Sequence, residues 1–237
     1  TFGDPDFLNG PGHTLEIARG LHSAFPKVTF DITTKVEHIL EHGQVFEELK
    51  SLGCVFVVSA VESVSKVVLE RLKKGHTRAD IDQALHILNE AGIPMRPSLV
   101  AFTPWTTAAD YLEMLSFIEE RALIDHIDPV QYTIRLLVPP GSALLDQLDT
   151  ESWLGPLDQI GFTYHWDHPD PRMDTLYRQV TRLVEIADNE DEDPLTTFND
   201  IKSKYREHFG DFGRFPQPVP ISHRRHRIPK LTESWFC

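Results

Sequence analysis

The stretch VFVVSAVESVSKVVLERLKKGHT, residues 55–77, constrains the fold more than any other part of the chain. It opens on a short run of β-branched and aromatic residues, Val55–Val58, the pattern of a strand buried on both faces in a parallel sheet. The run ends on small and polar residues, Ser59, Ala60, Glu62 and Ser63. A helix is predicted next, with Val67, Val68 and Leu72 on one face, Lys66, Glu70, Lys73 and Lys74 on the other, and Gly75 as its stop. Ser59, Glu62 and Ser63 are thereby set at the carboxyl end of a parallel strand, where α/β folds place their ligands. The alternative is purely structural: Glu62 charges the first turn of the helix, and Ser63 or Ser65 caps it.

The same alternation runs on both sides of this unit. Thr1 and Phe2 read as the end of a strand, followed by a turn-rich loop in which Asp4 and Asp6 stand just past the strand's carboxyl end. Leu15, Ala18 and Leu21 mark a helix, Val28–Ile32 the next strand, and Phe46–Leu52 a second helix. Beyond Gly75, Thr77-Arg78-Ala79-Asp80 starts a helix with Ile81, Ala84, Leu85 and Leu88 on one face, and Gly92 ends it. Pro94–Phe102 is the following strand, Thr107-x-x-Asp110 another helix start, and Val130–Val138 the last strand, stopped by Pro139-Pro140-Gly141. Strands alternating with helices predict right-handed parallel βαβ units, in an open sheet or a barrel. From residue 146 the alternation stops. A loop-rich stretch, Asp146–Asp170, precedes two helices, 176–187 and 195–209, joined by the acidic run DNEDED at 188–193.

A net charge of −13 argues against a general nucleic-acid binder. No apolar run approaches the ~20 residues of a membrane span, and two cysteines, Cys54 and Cys237, give no disulfide framework. A cytoplasmic protein is expected. His165 and His168, with Asp167 and Asp170, match no strong metal-ligand spacing, and no metal site is assigned. The remaining histidines read as surface or helix-end residues, with His76 set to contact the first turn of its helix.

Four pieces in order, SAVES at 59–63, KGHT at 74–77, AGI at 91–93 and LVAFTPWTT at 99–107, resemble the radical S-adenosylmethionine (SAM) superfamily, in the branch with MiaB-like and Elp3-like barrels. The resemblance implies a partial (β/α)6 TIM-like barrel with strands two to six over residues 1–145, and a mostly helical or irregular carboxyl-terminal extension over 146–237. It also implies an enzyme that uses SAM and a [4Fe–4S] cluster. By the same resemblance, Asp4 and Asp6 stand where the family holds the SAM amino group, although the common form there is Gly-Gly-Glu. Ser59 and Glu62 stand at the ribose-binding position, and Thr103 and Arg135 lie in segments that pack near adenine. Arg135 could pair with a carboxylate of SAM or substrate, with Asp4 or Glu62, or form a structural ion pair.

The family's C-x3-C-x2-C motif is not in this sequence. Either it lies upstream of Thr1, where the chain looks cut, or it has been lost. FGDPDFLNGPGH, TTKVEHIL, FTPWTT and YTIRLLVPPGS are similar to the CUAEP/CCAEP-tail group, whose carboxyl-terminal Cys-Cys-Ala-Glu-Pro tail can carry selenocysteine at its second position. RIPKLTESWFC at 227–237 resembles the approach to that tail, which makes Cys237 a candidate catalytic thiol. The basic residues Arg224, Arg225, Arg227 and Lys230 could draw the tail to the acidic mouth of the barrel, with Trp235 and Phe236 buried there; the alternatives are a disordered tail, as termini usually are, or one paired at an open barrel edge. The expected partners are a small-molecule or peptide substrate and an electron-donor protein, with no nucleic acid and no membrane. The competing readings are a barrel that has lost its cluster and serves as a small-molecule or protein-binding module, and an unrelated barrel lyase, for which Lys35 is the only strand-end lysine.

Overall fold

The computed structural model describes residues 1–147, 152–210, 228 and 229. Its centre is a parallel sheet of β1 (Phe30–Thr33), β2 (Cys54–Glu62) and β3 (Met95–Leu99), in spatial order β1-β2-β3. Around it run α1 (Pro11–Ala24), α2 (Val36–Glu41), α3 (Phe46–Ser51), α4 (Lys66–Arg71), α5 (Arg78–Glu90) and α6 (Ala108–Glu120). Then come a hairpin of β4 (Leu154–Asp158) and β5 (Thr163–Trp166), and two long helices, α7 (Pro171–Asn189) and α8 (Pro194–Phe209).

Local chemistry explains most boundaries. Thr77 and Thr107 each form a complete capping box with the aspartate three residues on, Asp80 and Asp110, and so start α5 and α6. Between α3 and β2 the chain turns at Gly53, with φ +110°. A Cβ there would stand 2.8 Å from the Val28 carbonyl oxygen, so only glycine fits.

One face of the sheet carries Ile32, Val57 and Met95 into a core shared with Ile39, Leu49, Ile81, Leu88 and Leu115 of the helices. Burying each such side chain stabilises the fold by about 1.5–3 kcal/mol. Leu176, Val180, Phe198, Ile201 and Tyr205 of α7 and α8 belong to the same core. The buried pair of Lys202 and Glu119, 2.9 Å apart, ties α8 to α6. The helices beyond residue 146 are therefore packed into the body of the protein.

Two expectations need correction. Val130–Val138 is not a regular strand. Pro129–Tyr132 is a 3-10 turn, and the residues after it pair only with the chain beyond the end of β3: Phe102 donates to the Ile134 carbonyl at 2.9 Å, and Leu136 donates to the Phe102 carbonyl at 2.8 Å. The turn is fixed from both sides, since the Gln131 side chain accepts from Leu99 N and the Tyr132 carbonyl accepts from the Tyr111 hydroxyl. On the far edge Phe2 contributes a single bond, to the Asp31 carbonyl. Among the described residues the sheet thus has three regular strands, each flank continued by isolated bonds, where five strands were expected.

The second correction is the hairpin. The stretch read as loop-rich pairs β4 and β5 antiparallel, and Tyr164 N donates to the Val138 carbonyl at 2.8 Å. Among the described residues no helix is long and apolar enough to cross a membrane.

Candidate functional site

The carboxyl ends of β1, β2 and β3 form one rim. At β1, Asp6 reaches over from the amino-terminal loop. Its Oδ1 accepts from Thr34 Oγ1 (3.1 Å) and Lys35 N (3.4 Å) and meets His38 Nδ1 at 2.9 Å, while Oδ2 faces Lys35 Nζ at 3.3 Å. Burial pushes the Asp6 carboxyl up, but the hydrogen bonds from His38 and Lys35 outweigh it, and the group is held below the usual carboxylate range. Asp4 is exposed, and its carboxylate accepts from Asp6 N, shaping the loop.

At β2 the backbone departs from regular geometry. The register with β3 shifts between Ala60 and Glu62, a bulge, and Glu62 has φ +63°. A non-glycine residue in the left-handed region costs on the order of 1 kcal/mol and persists where its surroundings fix it. Bulges of this kind re-aim a side chain. The Glu62 carbonyl accepts from Val100 N at 2.8 Å, and its Oε1 holds Lys74 Nζ at 3.0 Å. Lys74 is followed by Gly75, whose missing Cβ would stand 3.7 Å from Glu37 Oε2, and Glu37 meets Lys35 at 3.5 Å. Asp6, Lys35 and Glu37 thus form one charged cluster at the rim, and Glu62 with Lys74 a second.

Ser59 lies elsewhere. It shares a face of β2 with Val57 and Val61, both in the helix-side core, and is wholly buried, its hydroxyl without a hydrogen-bond partner. It is part of the layer beneath the rim. His76 is also buried, with Nε2 3.1 Å from the Val61 carbonyl, so its contact is with β2 and not with its own helix.

At β3, Thr103 is wholly buried in a tight turn: its hydroxyl meets that of Thr106 at 2.8 Å and accepts from Trp105 N at 3.3 Å. Arg135, far from it in sequence but paired across an isolated bridge with Phe102, donates to Asp174 (2.7 Å) and to the Trp166 carbonyl (2.7 Å). Its guanidinium stands 3.5 Å from the Trp166 ring centroid and 5.0 Å from that of Tyr177. Of the partners open to it, Arg135 takes the structural ion pair; its carboxylate is neither Asp4 nor Glu62.

Sequence reasoning missed the groups that complete these contacts, His38, Lys74 as the Glu62 partner, Asp174, and the edge-to-face series Trp105–Trp153–Trp166. Lys74 and Glu62 stand twelve positions apart across a helix, and Arg135 and Asp174 thirty-nine, so no local spacing announces them. His168, weighed for metal, is buried between the Thr106 carbonyl (2.9 Å from Nε2) and Asp170 N, which donates to Nδ1. Both ring nitrogens serve packing.

Lys35 is a poor Schiff-base candidate, because the hydrogen bond to Asp6 raises its pKa where an amine nucleophile needs it lowered. The described residues also do not fit an iron–sulfur cluster. Cys54 is buried in the helix-side core, and burial pushes its thiol up to about 12, whereas cluster ligands are thiolates. No group of three or more His, Cys, Asp or Glu among the described residues could hold a metal. Cys237 and the aromatic pair Trp235 and Phe236 lie outside the described residues, as do Arg224, Arg225, Arg227 and Lys230. The rim instead presents carboxylates, Asp6 and Glu62, that can accept hydrogen bonds.

No protein-family model matches the chain, and no curated protein sequence matches it. Solved structures do. The cobalamin-dependent SAM radical enzyme OxsB with aqua-cobalamin and SAM bound aligns over 78% of this chain, at 15% identity and a TM-score of 0.64. OxsB with aqua-cobalamin alone gives 0.62 over the same share. An archaeal Elp3, from Methanocaldococcus infernus, covers 58% of the chain at a TM-score of 0.37, too slight a likeness to build on. The chain spans about a third (34%) of the OxsB chain. Over most of its length this chain has the fold of one segment of a radical SAM enzyme.

Proposed function

We propose that this chain is the SAM-binding part of a radical SAM enzyme, with Glu62 as the residue that holds the ribose. The supporting observation is the strained backbone at Glu62, φ +63° at a bulge on the carboxyl end of a parallel strand. A non-glycine residue held in the left-handed region at the carboxyl end of a parallel strand is the type of feature that marks ligand sites in α/β folds. Lys74 occupies one lone pair of the Glu62 carboxylate, and the others suit vicinal hydroxyls. The SAM bound in the OxsB neighbour supports the choice of nucleoside.

In this reading Asp6 faces the SAM amino group, and the turn from Thr103 to Thr106 walls the adenine. Bound SAM supplies the radical precursor, and the chain's own residues bind and orient it. The [4Fe–4S] ligands come from outside the described residues. The enzyme works in the cytoplasm on a small-molecule or peptide substrate, with an electron-donor protein, and belongs to the CUAEP/CCAEP-tail group, with Cys237 near the chemistry.

The test is calorimetric titration of the chain with SAM, S-adenosylhomocysteine and guanosine. The first two are expected to bind and the third not. Failure of both adenosyl ligands, or equal binding of guanosine, overturns the reading.

A further inference from the structure

Parallel strands are normally buried on both faces. The helices cover the face of the sheet that carries Ile32, Val57 and Met95. The opposite face carries Phe56 and Val58 on β2, with Arg96 of β3 in register with Val58. Phe56 and Val58 are 2% and 8% exposed, so something covers them, and the structure shows what it is. Ile228, 7% exposed, lies in one buried cluster with them.

The seat has a polar anchor as well. Arg96 is itself buried, stacks over Phe56 with its guanidinium 5.3 Å from the ring centroid, and is paired with Asp128. Its Nη1 donates to the Pro229 carbonyl at 2.9 Å, a contact between residues 133 positions apart. Arg96 therefore has its side chain fixed by a ring and a carboxylate and presents an Nη1–H to a main-chain acceptor. Proline in the segment suits this arrangement. It has no N–H to satisfy, and it biases Ile228 toward extended backbone. On the β1 side of the same face, in register with Phe56 and Val58, Asp31 Oδ2 and Thr33 Oγ1 are buried without hydrogen-bond partners. A carboxylate oxygen and a hydroxyl there suit the N–H groups of an extended peptide.

We propose that this inner face of the sheet is a peptide-binding surface, and that its occupant is the chain's own segment at Ile228-Pro229. An aliphatic side chain joins the cluster of Phe56 and Val58, and Arg96 reads the carbonyl of the proline after it. The segment supplies the filling that a full barrel obtains from its own inward side chains. The contacts lie at the level of Phe56 and Arg96, beneath the rim that carries Glu62, so the surface is distinct from the nucleoside site and does not depend on that reading.

The test uses the full chain and a fluorescein-labelled peptide of residues 226–231, HRIPKL. In the wild type the tethered segment competes at an effective concentration in the millimolar range, so the peptide is expected to bind at least about tenfold more weakly than to Ile228→Asp, whose own segment cannot seat. The same peptide with aspartate in place of isoleucine is expected to bind neither protein. Hydrogen exchange over 54–62 and 95–99 is expected to rise severalfold in Ile228→Asp and to a smaller degree in Ile228→Ala, a truncation that leaves no buried charge. Equal peptide binding to wild type and Ile228→Asp, or wild-type exchange over both strands in both variants, overturns the proposal.

Discussion

Glu62 Oε1 stands 3.0 Å from Lys74 Nζ, and Glu62 itself is held at φ +63°. Backbone and ion pair oppose one another in free energy, and substitutions separate them. Glu62→Gly relieves the left-handed strain while losing the ion pair, so its stability is expected to stay within about 1 kcal/mol of wild type. Glu62→Val puts a β-branched side chain into the same conformation and is expected to cost about 2 kcal/mol or more. Urea unfolding of both variants reads the difference, and equal stabilities would contradict the strain assigned here.

Arg135 is fixed by Asp174, the Trp166 carbonyl and the Trp166 ring together. Arg135→Ala leaves the half-buried Asp174 without its cation, and a loss of about 3–5 kcal/mol is expected. Arg135→Lys keeps the charge but not the planar fork or the stacking, and should lose a substantial part of that. Chemical denaturation, with Trp166 emission as a second readout, decides. A neutral Arg135→Lys would show that the stacked geometry contributes little.

Burial holds the Cys54 thiol at about 12. In the folded protein at neutral pH it is expected to resist iodoacetamide, and to be alkylated on unfolding in urea. Reconstitution of the chain with iron and sulfide under anaerobic conditions is expected to leave no cluster bound after desalting. Rapid alkylation of Cys54 in the native state, read by peptide mass spectrometry, would show a thiol far more accessible than the core allows.

Asp6 is held below the usual carboxylate range by His38 and Lys35 acting against burial. A depressed folded pKa means stability that is present above the unfolded pKa, near 4, and lost as pH falls through the folded value. Asp6→Asn is therefore expected to cost about 1–2 kcal/mol at neutral pH. The gap to wild type should close as the pH falls below the unfolded carboxylate value and through the lowered folded one, where the wild-type carboxyl protonates. Unfolding curves across that range test it, and a constant gap would rule the pairing out as the source.

How far the sequence speaks for this structure depends on the range of the interactions. Thr77 with Asp80, and Thr107 with Asp110, are local, and both helix starts are legible. So is the apolar run at Val55–Val58, although β2 extends it in both directions, to Cys54 and Glu62. Val130–Val138 misleads because its apolar content suits a strand, while Gln131 and Tyr132 are claimed by β3 and α6 through contacts from distant residues. The hairpin at 154–166 is hidden by Pro156 and by a half-buried pattern without clean alternation. At the rim, the position of Glu62 is readable from the end of its strand. The bulge, the positive φ and the Lys74 pairing that give it meaning are not, and neither is the burial of Ser59 on the helix side.

The central claim is that Glu62 holds the ribose of SAM. It is tested most directly by a cycle in which ligand and protein are changed together: SAM and its 2′-deoxy analogue, each titrated into wild type and Glu62→Gln. A charge-assisted hydrogen bond is worth roughly 1.5–3 kcal/mol, so removing the hydroxyl is expected to weaken binding to wild type about tenfold or more. The same removal should leave binding to Glu62→Gln nearly unchanged. An equal loss in both proteins would mean that Glu62 does not touch the ribose, and the account of this site would be wrong.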